Sequence, residues 1–340
     1  MHNTHLNDET EKKQAEGGLE TSSPQSSTPA ELVDAFNLIF GKQTYNRAIH
    51  AKGIVLEGRF FPSPSAATLS KAPHFQNTAI PVTIRFSDFA GVPTISDTDA
   101  LASPRGLALK FHLPDGSETD LVIHSFNGFP AATTDEFREL LIALGTSGPD
   151  AAAPTPADTY LAAHPIAKSF LESQQPPPVS YATLTYFGVN SFKFTNKQGK
   201  AVFGRYRIEP QAGNKFLTPE QIEKAAPDYL ADEVRQRVAQ APIKFNFRIQ
   251  ISEPGDKIAD PSIAWPDTRD LVDVGLIEIT KVVPDSDAAE RALLFLPAKL
   301  PEGIEPADPM IEFRNAAYII SYERRHQQNT KKEGVIKSEP

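Results

Sequence analysis

The sequence predicts an α+β fold, an eight-stranded antiparallel β-barrel with helices around it. Three observations carry that expectation. Eight segments have the length and composition of strands, they fall into two sets of four, and no strand–helix–strand rhythm of the kind that builds parallel sheets runs through them. With 340 residues, 40% of them hydrophobic, the chain can bury a sizeable core. No shift in charge or flexible linker divides it, so one domain over about residues 30–326 is expected.

Taken in order, residues 30–40 form a short amphipathic helix, because Leu32, Val33, Phe36, Ile39 and Phe40 share a face. Strands follow at 53–61, 82–87, 106–113 and 120–124. In the third, Leu107, Leu109, Phe111 and Leu113 alternate with Ala108, Lys110 and His112, the period of two expected of a strand. Residues 137–144 read as a helix. Residues 146–159, rich in Ala, Pro, Gly and Asp, and 174–180, with three consecutive prolines, read as loops. The second set of strands is 182–188, 201–208, 243–252 and 275–283. The third of these puts Phe245, Phe247, Ile249 and Ile251 on one face and Lys244, Asn246, Arg248 and Gln250 on the other. A helix at 219–239 separates its second and third members. A last helix spans about 308–325. Residues 1–29 are polar and read as a disordered tail, and 327–340 as a flexible one.

Composition removes several classes of function. The net charge of −9 argues against a general nucleic-acid surface. The absence of cysteine excludes disulfides, iron–sulfur clusters, zinc–cysteine sites and thiolate-ligated or covalently attached haem. No apolar run reaches the roughly 18 residues of a membrane span, and the polar N-terminus has no apolar core of a secretory signal. A cytoplasmic location is expected.

Two arginine-bearing patterns carry chemistry. On a helix, Arg314, Tyr318 and Arg325 return to within roughly 40° of one another. A free tyrosine, with a pKa of about 10, is a poor ligand at neutral pH. An arginine one turn away, hydrogen-bonded to the phenolic oxygen, favours the ionised form, and tyrosinate is a proximal ligand for ferric haem. Arg325, two turns on, can reach a propionate. The second pattern is Arg47-Ala-Ile-His50-Ala-Lys-Gly53. In a peroxide pocket, a neutral His50 would take a proton from the near oxygen of a bound peroxide and deliver it to the far one. It must be held in one tautomer, and Ser87, in Ile84-Arg85-Phe86-Ser87, is a suitable partner. Arg47 and Arg85 are then natural propionate binders.

With Pro104-Arg-Gly-Leu-Ala-Leu-Lys-Phe111, Asp120-Leu-Val122 and Gly303-Ile-Glu305, these patterns run in order along the core. The chain resembles the haem catalase superfamily, most of all the small catalase-related peroxidases, which keep the catalase-like core domain alone. Val189-Asn-Ser-Phe-Lys-Phe194 and Ala264-Trp-Pro266 are similar to that smaller group. The resemblance implies haem b (iron protoporphyrin IX) between the barrel and the last helix. It implies His50 as the distal base with Ser87 as its partner, Tyr318 as the iron's axial ligand and Arg314 as the stabiliser of its phenolate. Arg47, Arg85 and Arg325 fall on propionate positions, and Phe137 near the haem face. Where full catalases carry a distal asparagine, an ungapped comparison puts Ser125, preceded by His124.

The expected function is therefore a haem-dependent peroxidase. It would use hydrogen peroxide or organic peroxides to oxidise small organic donors through a ferryl intermediate, with weak or no catalase activity. The alternatives are an enzyme that rearranges fatty-acid hydroperoxides and a non-catalytic haem carrier. The expected partners are a peroxide and a small organic reductant, with no nucleic acid. Loss of the wrapping segments of full catalases implies a monomer or small homo-oligomer.

Overall fold

A computed structural model describes residues 27–42, 45–76 and 78–336, with side chains through Gln327. Nearly all of the expected N-terminal tail lies outside the described residues. The first helix, α1 (Pro29–Phe40), opens with a capping box: Thr28 and Glu31 satisfy each other's backbone amides, and proline fills the first turn.

Eight antiparallel strands close the barrel. They are β1 (Gly53–Pro62), β2 (Ile80–Ser87), β3 (Gly106–His112), β4 (Glu118–His124), β5 (Tyr186–Phe187), β7 (Ala201–Pro210), β8 (Ile243–Ile251) and β9 (Leu271–Val282). Their order is β7-β5-β4-β3-β2-β1-β9-β8, with β8 pairing back onto β7. All eight overlap the segments expected from sequence. Two short strands, β6 (Phe192–Thr195) and β10 (Ile304–Pro306), are additional; β6 pairs with the first half of β7 and β10 with β6.

Alternation decides which residues fill the barrel. Ile54, Leu56, Ile84, Phe86, Leu107, Leu109, Phe111, Phe245, Phe247 and Ile249 all point into one buried cluster. Their neighbours in sequence face outward, and on β2, β3 and β4 that outer face is covered too. A second apolar cluster lies there, built from α1, α3 (Thr134–Gly145) and α9 (Met310–Ile336).

The remaining helices differ most from expectation. Within the predicted 146–159 loop, α4 (Pro156–Ala163) begins at a Thr155–Asp158 capping box, and α5 (Pro165–Glu172) follows it. The helix expected at 219–239 is two, α6 (Pro219–Lys224) and α7 (Tyr229–Gln240). Pro227 lies in the break, where a helix would lose a backbone donor and clash. Short helices α2 (Pro64–Leu69) and α8 (Ser286–Ala292) were not anticipated. The last helix, expected to stop near Arg325 and give way to a loose tail, runs on to Ile336. Among the described residues, no helix is long and apolar enough to cross a membrane.

Candidate active site

A cleft of about 1400 Å³, part of it open to solvent, lies between the outer face of β2–β4 and helices α1, α3 and α9. Leu32, Val33 and Phe36 of α1, Phe137 of α3 and Ala317 of α9 help give it apolar walls. Polar groups reach it from three directions.

From the barrel come His50 and Ser87. His50 sits just before β1 with φ of 55°, and its amide donates to Phe89 O at 2.8 Å. That left-handed backbone, uncommon for a residue other than glycine, turns the ring toward the end of β2. There Nδ1 lies 3.1 Å from Ser87 Oγ. The ring of Phe89 meets the imidazole edge-on, with centroids 5.6 Å apart. Gly106, beside Ser87 in the β2–β3 register, leaves the space: a Cβ there would lie 2.5 Å from Ser87 Oγ and 2.9 Å from the imidazole. Burial, with Arg85 and His124 nearby, pushes the pKa of His50 down to about 3, so the ring is neutral at ordinary pH.

From α9 come Arg314 and Tyr318. Arg314 Nη2 donates to Tyr318 Oη at 2.8 Å and to Val122 O at 3.2 Å, while Nη1 donates to Asn190 Oδ1. Asn190 Nδ2 in turn donates to the buried Asp308 carboxylate at 2.7 Å. A chain of four side chains thus runs from Asp308 to the phenol and fixes the guanidinium against it. Helical spacing marks Arg314 and Tyr318 in the sequence but not Asn190 or Asp308, whose partners are distant in the chain. The Val-Asn-Ser motif was the available signal for Asn190.

At the third edge are Arg47, Arg85 and Arg325. Glu290, on α8, bridges the first two: its carboxylate lies 2.7 Å from Arg47 Nη1 and 2.7 Å from Arg85 Nε. Leu293 O accepts from Arg47 Nη2 at 3.0 Å and from Arg325 Nη2 at 2.7 Å. Burial and the neighbouring Arg85 push Arg325 down to about 10, and burial and the same neighbour also lower Arg47. Arg325 Nε, buried, has no protein partner. Glu290 was not anticipated, since nothing in a short polar helix marks a carboxylate that pairs across more than 200 residues.

Eight of the nine expected site residues line this one cleft: Arg47, His50, Arg85, Ser87, Phe137, Arg314, Tyr318 and Arg325. Ser125 does not. Its hydroxyl accepts from Arg105 N at 2.9 Å, and its amide donates to Arg105 O at 2.9 Å. The pairing of β3 with β4 thus continues one step past His124 and turns Ser125 away, because successive side chains of an extended chain alternate. His124 faces the cleft instead. Its Nδ1 accepts from Phe126 N at 3.3 Å, which places the proton on Nε2, a buried atom without a partner. Burial and Arg314 push its pKa down to about 3.

A flat apolar group with two carboxylates on one edge and a metal at its centre fits this donor set. The walls are apolar, arginines gather at one edge, a phenolic oxygen and an imidazole reach in from separate elements, and two buried polar atoms await partners. Among the described residues, no cluster of His, Asp and Glu could hold a metal ion unaided.

Comparison with known proteins agrees. The sequence profile of the catalase family matches residues 9–336. A catalase-related peroxidase of Mycolicibacterium paratuberculosis is 35% identical, covering 88% of this chain and 95% of the relative. One from Synechococcus elongatus is 34% identical, with 88% of each covered. The catalase of Sus scrofa is 27% identical over 82% of this chain but only 56% of its own length. In three dimensions, the crystal structure of a fungal catalase superposes with a TM-score of 0.74 at 20% identity, over 84% of this chain and 60% of the other. The fold, the extent of the match and the two relatives above 30% identity together place the chain in the catalase family.

Proposed function

We propose that this peroxide-acting oxidoreductase is a haem b peroxidase, which uses hydrogen peroxide or an organic peroxide to oxidise small organic donors and disproportionates hydrogen peroxide weakly or not at all. Catalase-family proteins bind haem, and the cleft supports that cofactor here. The observation that carries the reading is the gathering of His50–Ser87, Arg314–Tyr318 and three arginines in one apolar cleft.

Tyr318 Oη would ligate the haem iron, with Arg314 holding the phenol in place. Arg47, Arg85 and Arg325 would receive the propionates, and Phe137 would pack near the porphyrin. When bound, the haem supplies an iron that takes up the oxidising equivalents of a peroxide and passes them to a donor. His50 supplies the proton transfer. With Nδ1–H donating to Ser87 Oγ, its Nε2 lone pair is free to take the proton from the near peroxide oxygen and return it to the far one, so that water or an alcohol leaves. The depressed pKa keeps the imidazole neutral for that task. His124 Nε2–H is the donor that orients peroxide, in place of the role expected for Ser125. An imidazole there differs in shape and reach from an asparagine amide, which supports weak disproportionation.

The test is direct. Protein loaded with haem should oxidise a phenolic donor with peroxide, and His50→Ala should lose most of that activity, on the order of 10²-fold. Equal activity in both proteins would end the proton-transfer role.

A further inference from the structure

The outer face of β2, β3 and β4 does not stop at the cleft. Strand register sets its side chains in rows: Ser87, Gly106 and His124; then Arg85, Ala108 and Val122; then Thr83, Lys110 and Asp120; then His112 beside Glu118. The first two rows line the cleft. The last two line a separate chamber of about 730 Å³, also open to solvent. Neighbouring rows are two residues apart, about 7 Å along a strand.

A short stretch of chain, residues 292–296, divides the two spaces, and Leu293 and Leu294 line both. It is pinned on each side. Leu296 N donates to Asp120 Oδ2 at 2.7 Å, and Leu293 O accepts from Arg47 and Arg325. Phe295 lines the cleft, and its ring also lies 5.5 Å from Lys110 Nζ of the chamber. One aromatic ring therefore spans the divider.

Resting on the haem reading of the cleft, we propose that this chamber binds the reducing donor and that the donor is a small neutral phenol. Its charges cancel. Lys110 pairs with Asp120 at 2.9 Å and Glu118 at 3.2 Å, and Lys299 faces Glu118 at 3.7 Å. Two cations against two anions leave no net attraction for an ion but many partners for a hydroxyl. His112 is the proton acceptor. Its Nε2 lies 2.9 Å from the hydroxyl of Thr83, its Nδ1 lies 3.4 Å from Glu118, and its side chain is 40% exposed. The phenol O–H bond would break with its proton passing to the imidazole, and a haem held in the cleft would supply, from peroxide, the oxidising equivalent that draws one electron by way of Phe295. A phenoxyl radical leaves through the open side. Glu118 faces the imidazolium until it returns its proton to solvent. Donor and peroxide thus use different doors, and the distal pocket need not admit an aromatic ring.

Hydroquinone is the probe. Its equilibrium binding to the full chain, with no peroxide present, is measured for the native protein and for Ala292→Trp, which fills the chamber from an exposed helix end. One saturable site is expected in the native chain, with affinity about tenfold weaker or worse in Ala292→Trp. No saturable binding, or equal binding in both, overturns the donor site whether or not the chain takes up haem. In haem-loaded protein, Ala292→Trp should raise the KM for hydroquinone about tenfold and leave the KM for peroxide unchanged. His112→Gln should lower kcat with little change in either KM. Hydroquinone kinetics unchanged in both variants overturn the proposal. A chain that binds hydroquinone but takes up no haem overturns the reading of the cleft instead.

Discussion

Replacing Gly106 with alanine tests the distal geometry without removing any functional group. The new methyl would lie 2.5 Å from Ser87 Oγ and 2.9 Å from Nδ1 and Cε1 of His50, whereas ordinary contact begins at 3.4 Å. Serine and imidazole must therefore give way by roughly 0.5 to 0.9 Å (3.4 − 2.9 and 3.4 − 2.5), the shift at which overpacking strain becomes appreciable. They form one hydrogen-bonded pair, so they cannot part without losing it. A misplacement near 1 Å costs about 10²-fold in a reaction that depends on orientation, or about 2.7 kcal/mol of barrier. The arginines and Tyr318 are untouched, so haem uptake should stay within about threefold of native. Rapid mixing of haem-loaded protein with peroxide, followed by absorbance, measures the step. The rate constant in Gly106→Ala should fall about 100-fold, toward that of His50→Ala. A rate within about threefold of native would refute the claim that this imidazole must sit where the glycine lets it.

Other perturbations bear on the rest of the cleft. Asn190→Leu removes the acceptor for Arg314 Nη1 and the link to Asp308; the absorption spectrum of the haem-loaded variant should move toward that of Arg314→Ala, and a native spectrum would show the chain of contacts to be idle. Glu290→Gln leaves Arg47 and Arg85 without their carboxylate, which should cost about 3 kcal/mol in urea unfolding of the haem-free protein; haem should restore more stability to the variant than to the native chain, and equal gains would count against a shared arginine cluster. His74 is buried in the barrel with Nδ1 unpartnered, and burial pushes its pKa down to about 3. An unfolded histidine titrates near 6.5, so between about pH 6.5 and 3 the unfolded chain binds the extra proton and stability falls as pH drops through that window. At pH 5 this amounts to about 2 kcal/mol, which His74→Phe should recover relative to its own stability difference at pH 7; identical pH dependence in both proteins would contradict it.

The barrel was legible because its interior is written in alternation. Phe245, Phe247, Ile249 and Ile251 mark one strand unaided, and the same period of two marks β3. Short strands such as β6, with only four residues, fall below what alternation can distinguish. Helices were misjudged where local chemistry outweighed composition. Pro156 and a capping box start α4 within a stretch that reads as loop, and the 219–239 pattern hides a break at Pro227. The site was legible in its local motifs, where Arg314 and Tyr318 are one helical turn apart. It was illegible where partners are joined only by the fold, as with Glu290 between Arg47 and Arg85. The choice between Ser125 and His124 turned on one residue of register, since extending the β3–β4 pairing past His124 sends the hydroxyl to Arg105 and the imidazole to the cleft.

The most direct measurement is titration of the purified chain with haem, followed by absorption spectroscopy, for the native protein and Tyr318→Phe. One equivalent should bind to the native chain with a high-spin ferric spectrum of the tyrosinate-ligated kind. Tyr318→Phe should still take up the pigment through its arginines but with a changed spectrum. Failure to bind haem, or the same spectrum in both proteins, would contradict the assignment of Tyr318 as the iron ligand and with it the reading of the cleft.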